Sequence, residues 1–74
     1  MIYIDDLAKE YEGLDREKTR NSALREKLRY EIKYAGRKDL KEQLQKTHDE
    51  LEKRYYQIID ELNSLIAKAR TAKQ

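Results

Sequence analysis

"IKYAGRKDLKEQL", residues 32–44, decides the fold of this chain, because it holds the stop signal of one helix and the start signal of another. Gly36 suits the left-handed conformation that commonly ends a helix. Asp39, with Glu42 three residues later, matches the capping box of a helix N-terminus. The stretch therefore predicts an αα-hairpin with its turn at Gly36–Lys38.

The residues after this turn form a regular apolar stripe. Apolar or tolerated residues recur at spacings of three and four, with one additional four-residue step after Leu51, which is the pattern of a heptad seam with a stutter. This pattern predicts helix 2 over about 40–70. The seam consists of Leu40, Leu44, Thr47, Leu51, Tyr55, Ile58, Leu62, Leu65 and Ala69.

The residues before the turn give a seam that is apolar at both ends and polar in its middle. It runs from Leu7 to Ala35, and its central positions are Lys18, Asn21 and Arg25. If the two arms fold back at Gly36, apolar residues meet near both ends of the hairpin, whereas these polar residues face the apolar stripe of helix 2.

Two alternatives account for the polar middle of helix 1. In the first, helix 1 is continuous over about 5–35 and the stem of Lys18 lies along the seam with its charge in water. In the second, the helix is broken near 13–22, where Thr19, Asn21 or Ser22 offers a new N-cap, and a short extra N-terminal helix precedes the main one. Both give an all-α, coiled-coil-like antiparallel helical hairpin in a single domain, residues 1–74.

Composition limits the classes of protein that this chain can belong to. It has 74 residues, 43% of them charged, a mean hydropathy of −1.16, no cysteine and no proline. Disulfides and thiolate metal sites are excluded, and long helices are permitted. No apolar run approaches the ~20 residues that cross a bilayer, and the start "MIYIDDLAKE" is unlike a signal peptide. We expect a cytoplasmic protein that does not enter a membrane.

Two tyrosines stand out on helix 1, because a helical seam centred on Leu28 cannot bury them. At about 100° per residue, Tyr30 and Tyr34 lie on nearly the opposite side of the helix from Leu28. Basic residues surround them, and tyrosine with arginine is enriched at binding hot spots. The predicted partner-binding residues are Tyr30, Tyr34, Arg37, Lys27 and Lys33.

The apolar stripe of helix 2 is broader than one partner helix needs. A two-helix hairpin of this size buries a small core, so the surplus indicates self-association into a helical bundle, with a homo-oligomer as the expected state. The residues predicted for self-association are Tyr55, Ile58, Ile59, Leu62, Leu65 and Ile66.

The sequence offers no catalytic constellation. The chain has one histidine and no cysteine, and it lacks a glycine-rich phosphate loop. His48 and Glu52, four residues apart, provide two ligands from one helix, which is too few for a metal site. We therefore predict no enzyme activity, no cofactor and no bound metal.

The remaining function classes are binding functions. The first is a non-catalytic protein–protein interaction module, such as a small regulator, inhibitor or adaptor that docks on a larger protein. The alternative is a nucleic-acid-binding helical hairpin, because residues 16–38 contain nine basic and three acidic side chains and tyrosines among them could stack on bases.

Overall fold

The computed structural model describes residues 4–72 as two helices. Helix α1 covers Ile4–Tyr34, helix α2 covers Lys38–Ala72, and the three residues 35–37 connect them. The helices pack against each other along their length, so the prediction of an all-α antiparallel hairpin is confirmed. The molecule is a rod of 56 × 14 × 13 Å. Neither described helix is long and apolar enough to span a membrane.

The start of α2 differs from the prediction. Lys38 already belongs to the helix, and the amide of Lys41 donates to the carbonyl of Arg37 at 3.0 Å, so Arg37 is the residue that caps the helix. Asp39 lies within the first turn, where its carboxylate accepts a hydrogen bond from Arg37 Nη2 at 3.0 Å. The predicted N-cap at Asp39 is therefore wrong by two residues.

The end of α1 also uses a different device from the predicted one. None of the described glycines has a positive φ, so Gly36 does not adopt the left-handed conformation expected of it. The amide of Ala35 instead donates to the carbonyl of Ile32 at 3.3 Å, which tightens the last turn of the helix. A three-residue connection then reverses the chain without a left-handed residue.

The hairpin buries its apolar seam most completely in the half away from the turn. The stripe of α2 supplies three of the buried apolar side chains, and Ile58 is fully buried at 0% exposure. Burial of such side chains drives the two helices together. The buried apolar residues are Leu7, Ile58, Leu62 and Leu65.

Helix α1 is continuous through the segment where the sequence left two alternatives open. It runs unbroken across residues 13–22, so no separate N-terminal helix exists within the described residues. Lys18 is half-buried, and its Nζ reaches the exposed side of the helix, 3.6 Å from Asp15. The structure therefore agrees with the first alternative, in which helix 1 is continuous and the stem of Lys18 lies along the seam with its charge in water.

Asn21 and Arg25 form a buried, hydrogen-bonded layer in the middle of the seam. Asn21 Nδ2 donates to the backbone carbonyl of Leu51 on α2 at 2.8 Å, and Asn21 Oδ1 accepts from Arg25 Nε at 2.8 Å. The guanidinium of Arg25 lies over the ring of Tyr55, 4.3 Å from its centroid. These hydrogen bonds and the contact with the Tyr55 ring provide partners for the buried polar groups of the layer, which explains why α1 does not break here.

A second link between the helices flanks this layer. Arg54 donates to Glu17 through Nε at 2.6 Å and through Nη2 at 3.0 Å, a two-pronged pair, and its Nη1 lies 3.6 Å from Glu61. The hydrogen bonds from Arg54 lower the pKa of the Glu17 carboxyl, and the carboxylates raise the pKa of Arg54. Both groups are thus held ionised across the helix interface.

Replacing Asn21 with alanine should destabilise the hairpin. The substitution removes the acceptor of the buried Arg25 and the bond to Leu51, so we expect the free energy of unfolding to fall by about 1–3 kcal/mol. Urea denaturation followed by circular dichroism measures this change. Gln57→Ala, at an exposed amide side chain of α2, is the matched control and should change stability by less than about 0.5 kcal/mol. Equal effects of the two substitutions would contradict the role of the buried layer.

Glu17→Gln should make the hairpin less sensitive to acid. A carboxyl whose pKa is lowered by folding stabilises the fold above its ordinary value, here 4.5, and loses that contribution as the pH falls through the lowered pKa. The pair is partly exposed, so we expect a loss of about 0.5–1 kcal/mol at neutral pH. The difference from wild type should shrink toward zero well below pH 4.5. Unfolding curves at several pH values test this, with the exposed Glu42→Gln as control.

Candidate functional site

The two tyrosines singled out in the sequence form one exposed pair in the last turns of α1. Tyr30 is 66% exposed and Tyr34 is 64% exposed. Their ring centroids lie 4.7 Å apart with the planes tilted by 51°. The two rings therefore adjoin each other on the surface, on the side of α1 that faces away from the seam.

The predicted basic neighbours of this pair behave differently from one another. Lys33 Nζ lies 5.7 Å from the centroid of the Tyr34 ring, within range of a cation–π contact. Lys27 is exposed on α1, one turn before Tyr30. Arg37 lies in the turn, and its guanidinium forms a salt bridge with the carboxylate of Asp39. We call these five residues the tip patch.

The tip patch has the chemical character of a preformed contact surface. Tyrosine supplies a large apolar area and a hydroxyl with only two side-chain torsions to immobilise, so a partner that covers it loses little entropy. The contact between the Tyr30 and Tyr34 rings restricts the two side chains further, which lowers the entropy that binding would cost. Lys27 and Lys33 add positive charge at the border.

The residues predicted for self-association divide into three groups, which are buried, half-buried and exposed. Three of them are used within the hairpin, where Ile58, Leu62 and Leu65 are buried against α1. Tyr55 is half-buried beneath Arg25, and Ile59 is half-buried at the edge of the seam. Ile66 stays 39% exposed. The apolar surface left for another chain is therefore narrower than the sequence indicated.

His48 is the buried polar residue whose surroundings the sequence did not predict. Arg29 Nε donates to His48 Nε2 across the helix interface at 3.2 Å. On the other side of the ring, Nδ1 lies 3.3 Å from Asp49 Oδ1 and 4.0 Å from Glu52 Oε2. Hydrogen bonds to Asp49 from Gln45 and from His48 lower the pKa of that carboxyl.

This arrangement does not suit a metal ion, although His48, Asp49 and Glu52 present ligand atoms within 4.8 Å of one another. The imidazole accepts from Arg29 at Nε2, so its proton is on Nδ1, directed at Asp49. A metal at Nδ1 would move this proton to Nε2 and so break the hydrogen bond from Arg29, and all three ligands would come from about one turn of the same helix. The cluster is better described as a link between α1 and α2.

The basic segment predicted for the alternative function is largely engaged with other side chains. Arg16, Lys18 and Arg37 pair with carboxylates, Arg25 is buried, and Arg29 donates to His48. Among the described residues, four of the nine have no such contact to a carboxylate, a histidine or the seam: Arg20, Lys27, Lys33 and Lys38. The positive surface is therefore weaker than the count of basic residues indicated.

Polar residues at seam positions were the signal that would have located these buried groups. Asn21 and Arg25 were visible in the sequence as seam residues, but their bonding depends on which groups of α2 come opposite them.

Comparison of the chain with protein-family models, with curated proteins and with solved structures found no match.

The tautomer of His48 is directly measurable, because it is the sole histidine of the chain. Nitrogen NMR at a pH where the ring is neutral should show a protonated Nδ1 and an unprotonated Nε2, since Arg29 donates to Nε2. Addition of Zn²⁺ should leave these signals unchanged. Arg29→Leu, which removes the donor, should shift the tautomer toward protonated Nε2. A protonated Nε2 in the wild-type protein would contradict this geometry.

Proposed function

We propose that the chain is a non-catalytic protein-interaction module, a small regulator, inhibitor or adaptor that docks on a larger protein through the tip patch. The observation that carries the proposal is the pair of exposed, adjoining rings of Tyr30 and Tyr34, which contributes nothing to the seam. Large aromatic side chains are usually buried at least in part. Two adjoining exposed rings beside basic side chains are typical of a binding anchor.

The chemistry of the tip patch specifies the partner surface. The rings need an apolar depression that receives them, and Lys27 and Lys33 at the border favour carboxylates on the rim of that depression. Arg37 is held by Asp39 and would exchange this partner for one on the docked protein. The proposed partner is therefore a protein that presents an apolar groove with an acidic border.

The nucleic-acid alternative remains a second proposal, supported by the positive charge of residues 16–38. Two observations favour the protein partner instead. Five of the nine basic side chains are already engaged or buried, and the two rings adjoin each other with their planes tilted, which leaves no gap between them for a base to stack. Phosphate contacts would also make the binding strongly dependent on salt.

Three further proposals complete this view of the chain. It is not an enzyme, on the strength of a sequence with one histidine and no cysteine. It acts in the cytoplasm, which composition alone supports. It self-associates through the apolar side chains that the hairpin leaves exposed, of which Ile66 is the clearest.

Substituting both tyrosines of the tip patch should abolish partner binding without unfolding the hairpin. Both rings are exposed, so Tyr30→Ala with Tyr34→Ala should change the free energy of unfolding by about 1 kcal/mol or less. Tagged wild-type and variant chains are used to capture proteins from source cells, with identification by mass spectrometry. A photo-crosslinking residue in place of Tyr30 then verifies direct contact with the captured protein.

The control for this experiment is Leu24→Ala, at an exposed apolar residue of α1 that belongs neither to the tip patch nor to the apolar surface around Ile66. It should retain the protein that the double variant loses. Retention should persist from low to moderate salt, over a range in which six to ten phosphate contacts would lose about 10³–10⁵ in affinity. A captured set that is unchanged by the double substitution would disprove the proposed role of the tip patch. Recovery of RNA or DNA alone, lost in moderate salt, would favour the alternative.

A further inference from the structure

An apolar surface lies on one side of the hairpin at the end away from the turn. We call it the open-end face and define it by Ile4, Ala8, Tyr11, Ile59 and Ile66. Ile4 is 50% exposed, Tyr11 is 40% exposed and Ile66 is 39% exposed. A groove of about 310 Å³ runs between the helices here, and most of its lining side chains are apolar. The hairpin alone leaves this surface in contact with water.

The chain exposes more surface than a compact monomer of its size. The accessible area is 6162 Å² for a mass of 8.9 kDa, whereas a compact monomer of this mass exposes about 4,800 Å². The elongated shape of the hairpin, 56 × 14 × 13 Å, accounts for this excess of about 1,350 Å² and leaves its long sides uncovered. A second copy that covered an area of this order on each chain would form an interface of the size found in stable homodimers.

The opposite side of the hairpin is less suited to a second copy. Its groove, of about 580 Å³, is the larger one, but its border carries Glu10, Asp60 and Glu61 against a single base, Lys68. A symmetric dimer places the same surface patch on both subunits. Because acids lie on both edges of this groove, Glu10 on α1 and Asp60 on α2, acidic edges approach each other whichever helices meet, which opposes association. The open-end face avoids most of this repulsion.

Charge also selects how two open-end faces meet. Helical periodicity places Asp5, Glu12 and Asp15 on the α1 edge of this side, where Arg16 pairs with Glu12 and Lys18 pairs with Asp15. It places Tyr56, Ile59, Asn63, Ile66 and Arg70 on the α2 edge. With the two copies antiparallel, α1 would lie on the α1 of the other copy, so Asp5 would not have Arg70 opposite it. With a two-fold axis along the rod, α1 lies on the α2 of the other copy, which brings Asp5 toward Arg70 and Tyr11 toward Ile66.

The half of this side nearer the turn fits the same arrangement. Ile66 and His48 are eighteen residues apart, about five helical turns, so they lie on the same side of α2. His48 bonds to Arg29 on the α1 edge and adjoins Asp49 and Glu52 on the α2 edge. With α1 against α2 of the other copy, Arg29 approaches carboxylates and not a second arginine.

We propose that two copies of the chain associate through their open-end faces about a two-fold axis along the rod, forming a four-helix bundle with both turns at the same end. This proposal rests on the proposed self-association and specifies its surface and symmetry. Its consequence is functional, because the tip patches of the two chains then lie at one end of the bundle. The dimer presents two tyrosine pairs to one partner surface, and linked sites of this kind bind more tightly than single ones.

Light scattering and sedimentation test the surface. Wild-type protein should have twice the 8.9 kDa mass of one chain. Ile66→Glu, which places a carboxylate on both sides of the interface, should return the mass to that of one chain at the same concentration. Leu24→Glu is the matched control, at a leucine that is 50% exposed elsewhere on the hairpin, and it should remain dimeric. Circular dichroism monitors the helix content of each variant.

Spin labels test the symmetry without altering the face. The chain has no cysteine, so Gly36→Cys introduces a single labelling site in the turn. A side chain there has open space, with no atom within 4 Å of an added Cβ. Turns at the same end should give a label separation well under half of the 56 Å length of the rod, whereas antiparallel copies would place the labels near opposite ends.

The outcomes separate this inference from the proposals on which it depends. A wild-type chain that stays monomeric over a hundredfold range of concentration overturns both the self-association and the inference. A dimer that dissociates with Leu24→Glu but not with Ile66→Glu, or whose labels lie far apart, overturns the inference alone. Neither result affects the tip patch, which the tyrosine variants test independently. Dissociation by Ile66→Glu together with a short label separation supports the inference.

Discussion

The hydrogen bond from Asn21 to the backbone carbonyl of Leu51 determines how the two helices of this protein meet. It joins a side chain of α1 to the backbone of α2 at 2.8 Å in the middle of the rod. A sliding or rotation of one helix would leave a buried amide without a partner, which costs more than the bond itself contributes. Apolar contacts tolerate such displacements, so this polar contact supplies the specificity that they lack.

Other polar contacts extend that constraint along the hairpin. Arg25 is held between the Asn21 oxygen and the Tyr55 ring, Arg54 binds Glu17 on one side, and Arg29 binds His48. Together these contacts use several basic residues that a reader of the sequence would assign to a positive surface. Because these arginines form contacts between the two helices, the positive charge on the outer surface of the hairpin is correspondingly weaker.

The tip patch and the open-end face lie at opposite ends of this rigid rod. Tyr30 and Tyr34 pack on each other beside the turn, where they neither support the seam nor block the far end. Ile66 and its neighbours line a groove near the chain ends. The proposed binding of a partner and the proposed binding of a second copy thus involve different ends of the hairpin, and each proposal is tested by substitutions at its own end.

The sequence by itself determined the hairpin and the exposure of the two tyrosines. Both follow from local rules: a turn signal between two heptad patterns, and the angular position of residues two and six places beyond Leu28. The exact turn did not follow, because Gly36 and Asp39 suit devices that a three-residue connection does not use. Capping patterns indicate where a helix can end, whereas the packing of the two arms decides where it does.

Only the tertiary structure decided whether α1 was continuous and which apolar residues remained exposed. Continuity depends on the partners that Asn21 and Arg25 find on the other helix, and these are thirty residues distant in the chain. Likewise Ile58 and Ile66 belong to the same stripe, yet one is fully buried and the other faces water. A periodic pattern gives the side of a helix that is apolar, but the width of the partner helix determines how much of that side is covered.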